Sequence, residues 1–134
     1  MYPPVDNIIR IVDHDYKVSN TDKILPKGAL LIIPVFCFHR DPENFPNPDV
    51  FDPDRFTDEN IKTRHPYSFI PFGEGPRNCI GMRFGVLQVK IGLIKILSNY
   101  KISRSAKTKT NVTFKTTASI LTSDSGLWLQ IDKI

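Results

Sequence analysis

The sequence predicts a mainly helical fold carrying small β-hairpins, of the α+β class, in a chain that looks incomplete as a fold. Three observations carry that expectation. Met82 to Tyr100 is one long helical run, apolar nearly all round. Short apolar or β-branched segments bounded by turn residues lie on either side of it, and Asp41 to Phe56 holds Pro42, Pro46, Pro48 and Pro53. A helix apolar on most of its circumference needs neighbours on several sides, and few other helices are available here to supply them.

Taken in order, Asp15 to Val18 reads as a short strand, Ser19 to Lys23 as a turn, and Leu25-Pro26-Lys27-Gly28 as a type I turn, which together make a hairpin. Ala29 to Phe36 is β-branched enough for a buried strand whose ladder Pro34 limits. The prolines bar residues 41–56 from helix or central strand, so an irregular loop follows, packed down by Phe45, Phe51 and Phe56. Along the long helix Arg83 and Lys90 share one narrow stripe, and Gln88 and Lys95 another. Beyond Tyr100 a Lys/Ser/Thr-rich connection runs to Asn111. Ile120 to Thr122 and Leu127 to Ile131 then flank Ser123-Asp124-Ser125-Gly126 as a terminal β-hairpin. Residues 1–40 are therefore a β-hairpin region, 41–71 a proline-rich coil, 72–100 a cysteine loop with a long buried helix, and 101–134 a C-terminal hairpin, all parts of one larger domain.

Composition narrows the function classes. The 134 residues carry a net charge of +4, with Lys and Arg spread along the chain and acids interleaved, which reads as a solvated basic surface and not as a nucleic-acid footprint. No segment reaches the roughly 18 apolar residues of a membrane span, and Met1-Tyr2-Pro3-Pro4 opens no signal peptide. Cys37 and Cys79 have no secretory context favouring a disulfide, and His14, His39 and His65 form no zinc-type spacing with them.

Chemistry concentrates in Pro71-Phe72-Gly73-Glu74-Gly75-Pro76-Arg77-Asn78-Cys79-Ile80-Gly81, at the mouth of the long helix. Gly73, Gly75 and Gly81 remove Cβ atoms on both sides of the cysteine, so the backbone can turn sharply and approach a flat ligand. At a helix N-terminus, free N–H groups and the dipole favour thiolate, the form of Cys79 that binds iron. Arg77 suits bidentate pairing with a carboxylate, and Phe72 can cover the sulfur. A lone cysteine is most often a small buried apolar residue. The five-position pattern Phe-x-x-Gly-x-Arg-x-Cys-x-Gly, however, should arise by chance in a chain this long only about once in 10⁴ to 10⁵, at usages of roughly 5% each.

That pattern, filled by Phe72, Gly75, Arg77, Cys79 and Gly81, resembles the haem-binding signature of the cytochrome P450 family. The resemblance extends through Tyr2-Pro3-Pro4, Ile24 to Gly28, His39-Arg40-Asp41-Pro42, Phe51-Asp52-Pro53-Asp54-Arg55-Phe56 and Gly81 to Gly85, in the family's order. Its wording is most similar to microsomal enzymes of the insect detoxification type, with mammalian drug-metabolising members close behind. The fold implied is the C-terminal portion of the cytochrome P450 fold.

The resemblance implies haem b, with Cys79 as axial ligand and catalytic residue, its electron donation favouring O–O cleavage. Arg77 would pair with one haem propionate and Arg10, just before the first strand, with another. Arg55 resembles the arginine that joins a glutamate-x-x-arginine pair on an upstream helix, a structural role. Val5, Ile8, Ile9 and Ser125 fall on segments that line the substrate pocket, suited to an apolar small molecule. NADPH-cytochrome reductase is the implied electron donor, with cytochrome b5 as an optional second partner, Arg83 and Lys90 helping to dock the acidic reductase. The implied location is the cytosolic face of the endoplasmic reticulum membrane, through an N-terminal anchor outside these residues. The distal helix with its acid and threonine is also absent. The expectation is therefore a partial sequence, inactive alone, of a monooxygenase. A haem-thiolate isomerase or dehydratase and a truncated product that binds no haem remain open beside it.

Overall fold

The computed structural model describes residues 1–115 and 120–134, and these form two compact units, Met1–Pro71 and Phe72–Ile134. It is a mixed helix and strand arrangement with small antiparallel sheets, as the α+β expectation required. The expected 101–134 hairpin region includes residues 116–119, which lie outside the described residues.

The first unit begins with β1 (Ile8–Ile11), a β-branched run that the sequence reading passed over. Hairpin strands β2 (Tyr16–Lys17) and β3 (Ile24–Leu25) follow, then β4 (Leu30–Ile33), which returns antiparallel to β1 with Ile8 opposite Ile33 and Ile11 opposite Leu30. The turn into β4 sits one residue later than expected. The Ala29 N–H donates to the Pro26 carbonyl at 3.1 Å, so Gly28, at φ +83°, takes the third position of a type II turn, where positive φ is required. Leu30 and Ile32 of β4 are exposed, so this strand is not the buried one anticipated, although Val35 just beyond it is buried. Pro34, which cannot extend a ladder, ends β4, and the four-residue helix α1 (Val35–Phe38) starts there.

Residues 41–52 are irregular, as their prolines dictate, and are then tied into short capped turns. The Asp52 carboxylate accepts from Asp54 N–H at the head of a 3-10 turn, Pro53–Phe56, and Thr57 caps α2 (Asp58–Thr63). The helix corrects the expected unbroken coil over 41–71, and Thr57-Asp58-Glu59, a hydroxyl cap followed by acids in the first turn, was its signal. Phe45 is fully buried and Phe56 packs on Phe69 at 4.7 Å, but Phe51 is 93% exposed and takes no part in the packing.

In the second unit the cysteine loop leads through Gly81 into α3 (Met82–Leu97). The helix stops three residues short of Tyr100, because Tyr100 opens β5 (Tyr100–Arg104). β5 pairs antiparallel with β6 (Leu129–Lys133), Ile102 opposite Ile131. The basic stretch after Tyr100 is therefore partly strand. Ile120 to Thr122 is not the partner of the last strand, which pairs with β5; among the described residues an isolated bridge joins Phe114 to Ser123. No residue of α3 is buried among these residues; one two-stranded sheet has too little surface to cover a helix apolar on most of its sides, the shortage of neighbours that its sequence pattern implied.

The two units differ in charge. Phe72–Ile134 holds ten basic and three acidic residues, and Met1–Pro71 eight basic and eleven acidic ones.

Candidate cofactor site at Cys79

The loop that carries Cys79 is built by three backbone hydrogen bonds. Asn78 N–H donates to the Gly75 carbonyl at 3.1 Å, closing a turn with Pro76 at its second position and Arg77 at its third. Cys79 N–H donates to the Phe72 carbonyl at 2.8 Å, which folds the segment back on its own start. Met82 N–H then reaches the Cys79 carbonyl at 3.3 Å, handing the chain to α3. Gly73 and Gly75 have φ of +74° and +80°, a region costing other residues about 1–2 kcal/mol. Gly81 differs: its φ of −85° is open to any residue, so it is not needed for the turn. A Cβ there would stand 3.9 Å from the Cys79 sulfur, so its absence keeps that space clear.

Cys79 is a free, exposed thiol. Phe72 takes part in the loop's backbone and in a groove beside it. Its carbonyl closes the loop, and the residue lines, with Met82, Arg83, Val86, Leu87 and Lys90, an open groove of about 380 Å³. Among the described residues no group of three or more His, Cys, Asp or Glu could hold a metal ion. A lone sulfur cannot cage a bare ion, but it suits an iron that arrives with its other ligands already in place, as in haem. The residues therefore fit that cofactor.

The structure brings Phe72, Gly73, Gly75, Arg77, Cys79 and Gly81 into one loop, with Arg77 exposed on its turn. Ser125 lies on the separate turn before β6, its carbonyl accepting from the Trp128 indole N–H at 3.2 Å. Arg10, Arg55, Val5, Ile8 and Ile9 belong to the first unit. Arg10 is inside β1, opposite Leu31, and not ahead of the first strand. Ile8 and Ile9 are consecutive strand residues and point to opposite faces, so at most one of them can face a given pocket.

Arg55 has a defined structural part. It donates to the carbonyls of Pro46, Asn47 and Val50 and pairs with Asp52 at 3.7 Å, clasping the irregular coil from within. Two residues carry more than the sequence reading gave them. Arg64 lies over the rings of Phe45 and Phe56 at 4.7 and 5.1 Å. His39, 1% exposed, accepts the Ile70 N–H on Nε2 at 3.0 Å and packs at a tilt on Phe69, ring centroids 4.6 Å apart. Burial, aided by the positive amino terminus, lowers its pKa from 6.5 to about 4. Nothing in a single sequence separates such a histidine from a surface one.

Comparison with known proteins bears on the whole chain. The family model for Cytochrome P450 matches residues 1–130. Probable cytochrome P450 6a14 and 6a13 of Drosophila melanogaster are 44% and 45% identical over 99% and 98% of the chain. Cytochrome P450 6k1 of Blattella germanica is 39% identical over 98% of it. The chain spans about a quarter of the length of these curated relatives, 25–27%.

Proposed function

The chain belongs to the cytochrome P450 family, and from that premise we propose that it is the haem-ligating part of a monooxygenase that inserts one atom of O2 into an apolar small molecule. Electrons would come from NADPH through a reductase, with cytochrome b5 as an optional second donor. The observation that carries this is the loop that presents Cys79, an exposed thiol whose own N–H closes the turn on the Phe72 carbonyl between Gly73, Gly75 and Gly81; Cys37, the other exposed thiol, lies on α1 with no such loop. Haem b, when bound, supplies the oxygen-activating chemistry. In this reading Cys79 would hold the iron through its sulfur, Arg77 would pair with a carboxylate of the cofactor and Phe72 would flank the sulfur. Gly73, Gly75 and Gly81 leave room for the macrocycle. Arg10 would meet the second propionate, and Val5, Ser125 and one of Ile8 and Ile9 would face an apolar substrate.

Among the described residues no helix is long and apolar enough to cross a membrane. Placement at the endoplasmic reticulum would therefore rest on an anchor outside these residues. The 134 residues alone are expected neither to hold haem tightly nor to turn over, because the Cys79 sulfur is exposed and not enclosed.

The test is Cys79→Ser in the longer parent enzyme. The unmodified protein should show the thiolate signature in its ferrous carbon monoxide spectrum and oxidise an apolar probe only with NADPH and reductase. The variant should lose both, and a variant that kept either would refute the assignment.

A further inference from the structure

From Gly75 to Ser123 the sequence has nine Lys or Arg and no acidic residue. Lys101, Arg104, Lys107 and Lys109 of this run lie on β5 and the loop after it, all exposed. That loop is fixed against the residue that enters β6. Thr108 Oγ1 donates to the Trp128 carbonyl at 2.5 Å and accepts from Ser105 N–H at 2.8 Å. Lys107 Nζ stands 5.0 Å from the centre of the Trp128 ring, an attractive cation–π distance. Trp128 is 54% exposed and its neighbour Leu127 72%. The indole N–H already has its acceptor in the Ser125 carbonyl, so what the ring offers outward is its apolar body.

We propose that this tip is a docking surface for an anionic bilayer. Tryptophan favours the depth of lipid headgroups, where one part of the ring is apolar and the rest is wet. Basic residues just outside it gain from the negative surface potential, roughly fivefold in affinity for each cation. Exposed apolar side chains beside basic ones, as Leu127 and Trp128 are beside Lys107, can enter a fluid interface directly, whereas an acidic protein would have to present a recess matched to Trp128. The surface does not depend on haem, so its failure would leave the Cys79 assignment untouched.

Trp128 is the chain's only tryptophan, so its emission reports the tip without a label. The full chain would be mixed with vesicles of phosphatidylcholine alone, and with vesicles that also contain phosphatidylserine. The expected result is stronger cosedimentation and a larger blue shift of emission with the anionic vesicles than with the neutral ones, the difference suppressed by high salt. Lys107→Gln with Lys109→Gln should weaken binding about 25-fold, at roughly fivefold per cation. Salt dependence in the unmodified chain keeps the test decisive should that variant misfold. Equal binding to neutral vesicles would overturn the proposal, as would binding without an emission shift. Capture on immobilised polyglutamate as strong as on anionic vesicles would instead make this face a dock for an acidic protein.

Discussion

His39 shows how one buried side chain sets a pH dependence. Its Nε2 accepts the Ile70 N–H, so the neutral ring carries its proton on Nδ1, and a second proton would turn the acceptor into a donor facing a donor. With the folded pKa lowered to about 4, the unfolded chain binds the proton first, at about 6.5. Stability of the first unit should be flat above about pH 7, fall as pH drops from 6.5 towards 4, and level off below that. Urea midpoints across this range would show it. His39→Phe should remove that part of the slope while costing about 1–3 kcal/mol for the unsatisfied Ile70 N–H. An unchanged slope in the variant would place the titration elsewhere.

Two irregular segments are held by different means at the scale of the element. The coil over residues 46–52 depends on Arg55, whose planar guanidinium reaches three carbonyls and a carboxylate at once. Lysine has one ammonium and cannot reproduce that fork. Arg55→Lys should therefore destabilise nearly as much as Arg55→Ala, by about 1.5–3 kcal/mol, with faster amide exchange in this coil as the direct readout. The cysteine loop depends on backbone geometry instead. Gly75→Ala meets no atom within 4 Å, so its cost, about 1–2 kcal/mol, is that of positive φ alone. Gly81→Ala, with ordinary φ, should leave the loop's stability nearly unchanged and act only on the space beside the sulfur.

Apolar surface dominates at the scale of the whole molecule. Phe84, Leu87, Val89, Ile91 and Ile94 of α3 are each more than half exposed, and so are Leu129 and Ile131 of β6. Patches larger than a few hundred Å² are rare on soluble monomers. The isolated chain should bind a hydrophobic dye under native conditions and self-associate as concentration rises, measured by dye fluorescence and light scattering. A dye-blank monomer would mean that these faces find cover within the chain.

The sequence alone determined what depends on covalent neighbours. Its five-position signature located the Cys79 loop, its prolines excluded regular structure over residues 41–52, and its hydrophobic run located α3. The β1 strand and the α2 cap were also written there, in Ile8-Ile9-Arg10-Ile11 and Thr57-Asp58-Glu59, as weaker signals than the turns and prolines around them. Only the tertiary structure decided which distant segments meet. The Leu129–Lys133 strand could have paired with the nearby Ile120 to Thr122, the cheaper loop to close, yet its partner is Tyr100–Arg104. The burial of His39 with its bond from Ile70 and the meeting of Lys107 with Trp128 belong to the same class. Each depends on a partner remote in the chain, and local pattern specifies a residue's own conformation without naming what it will touch.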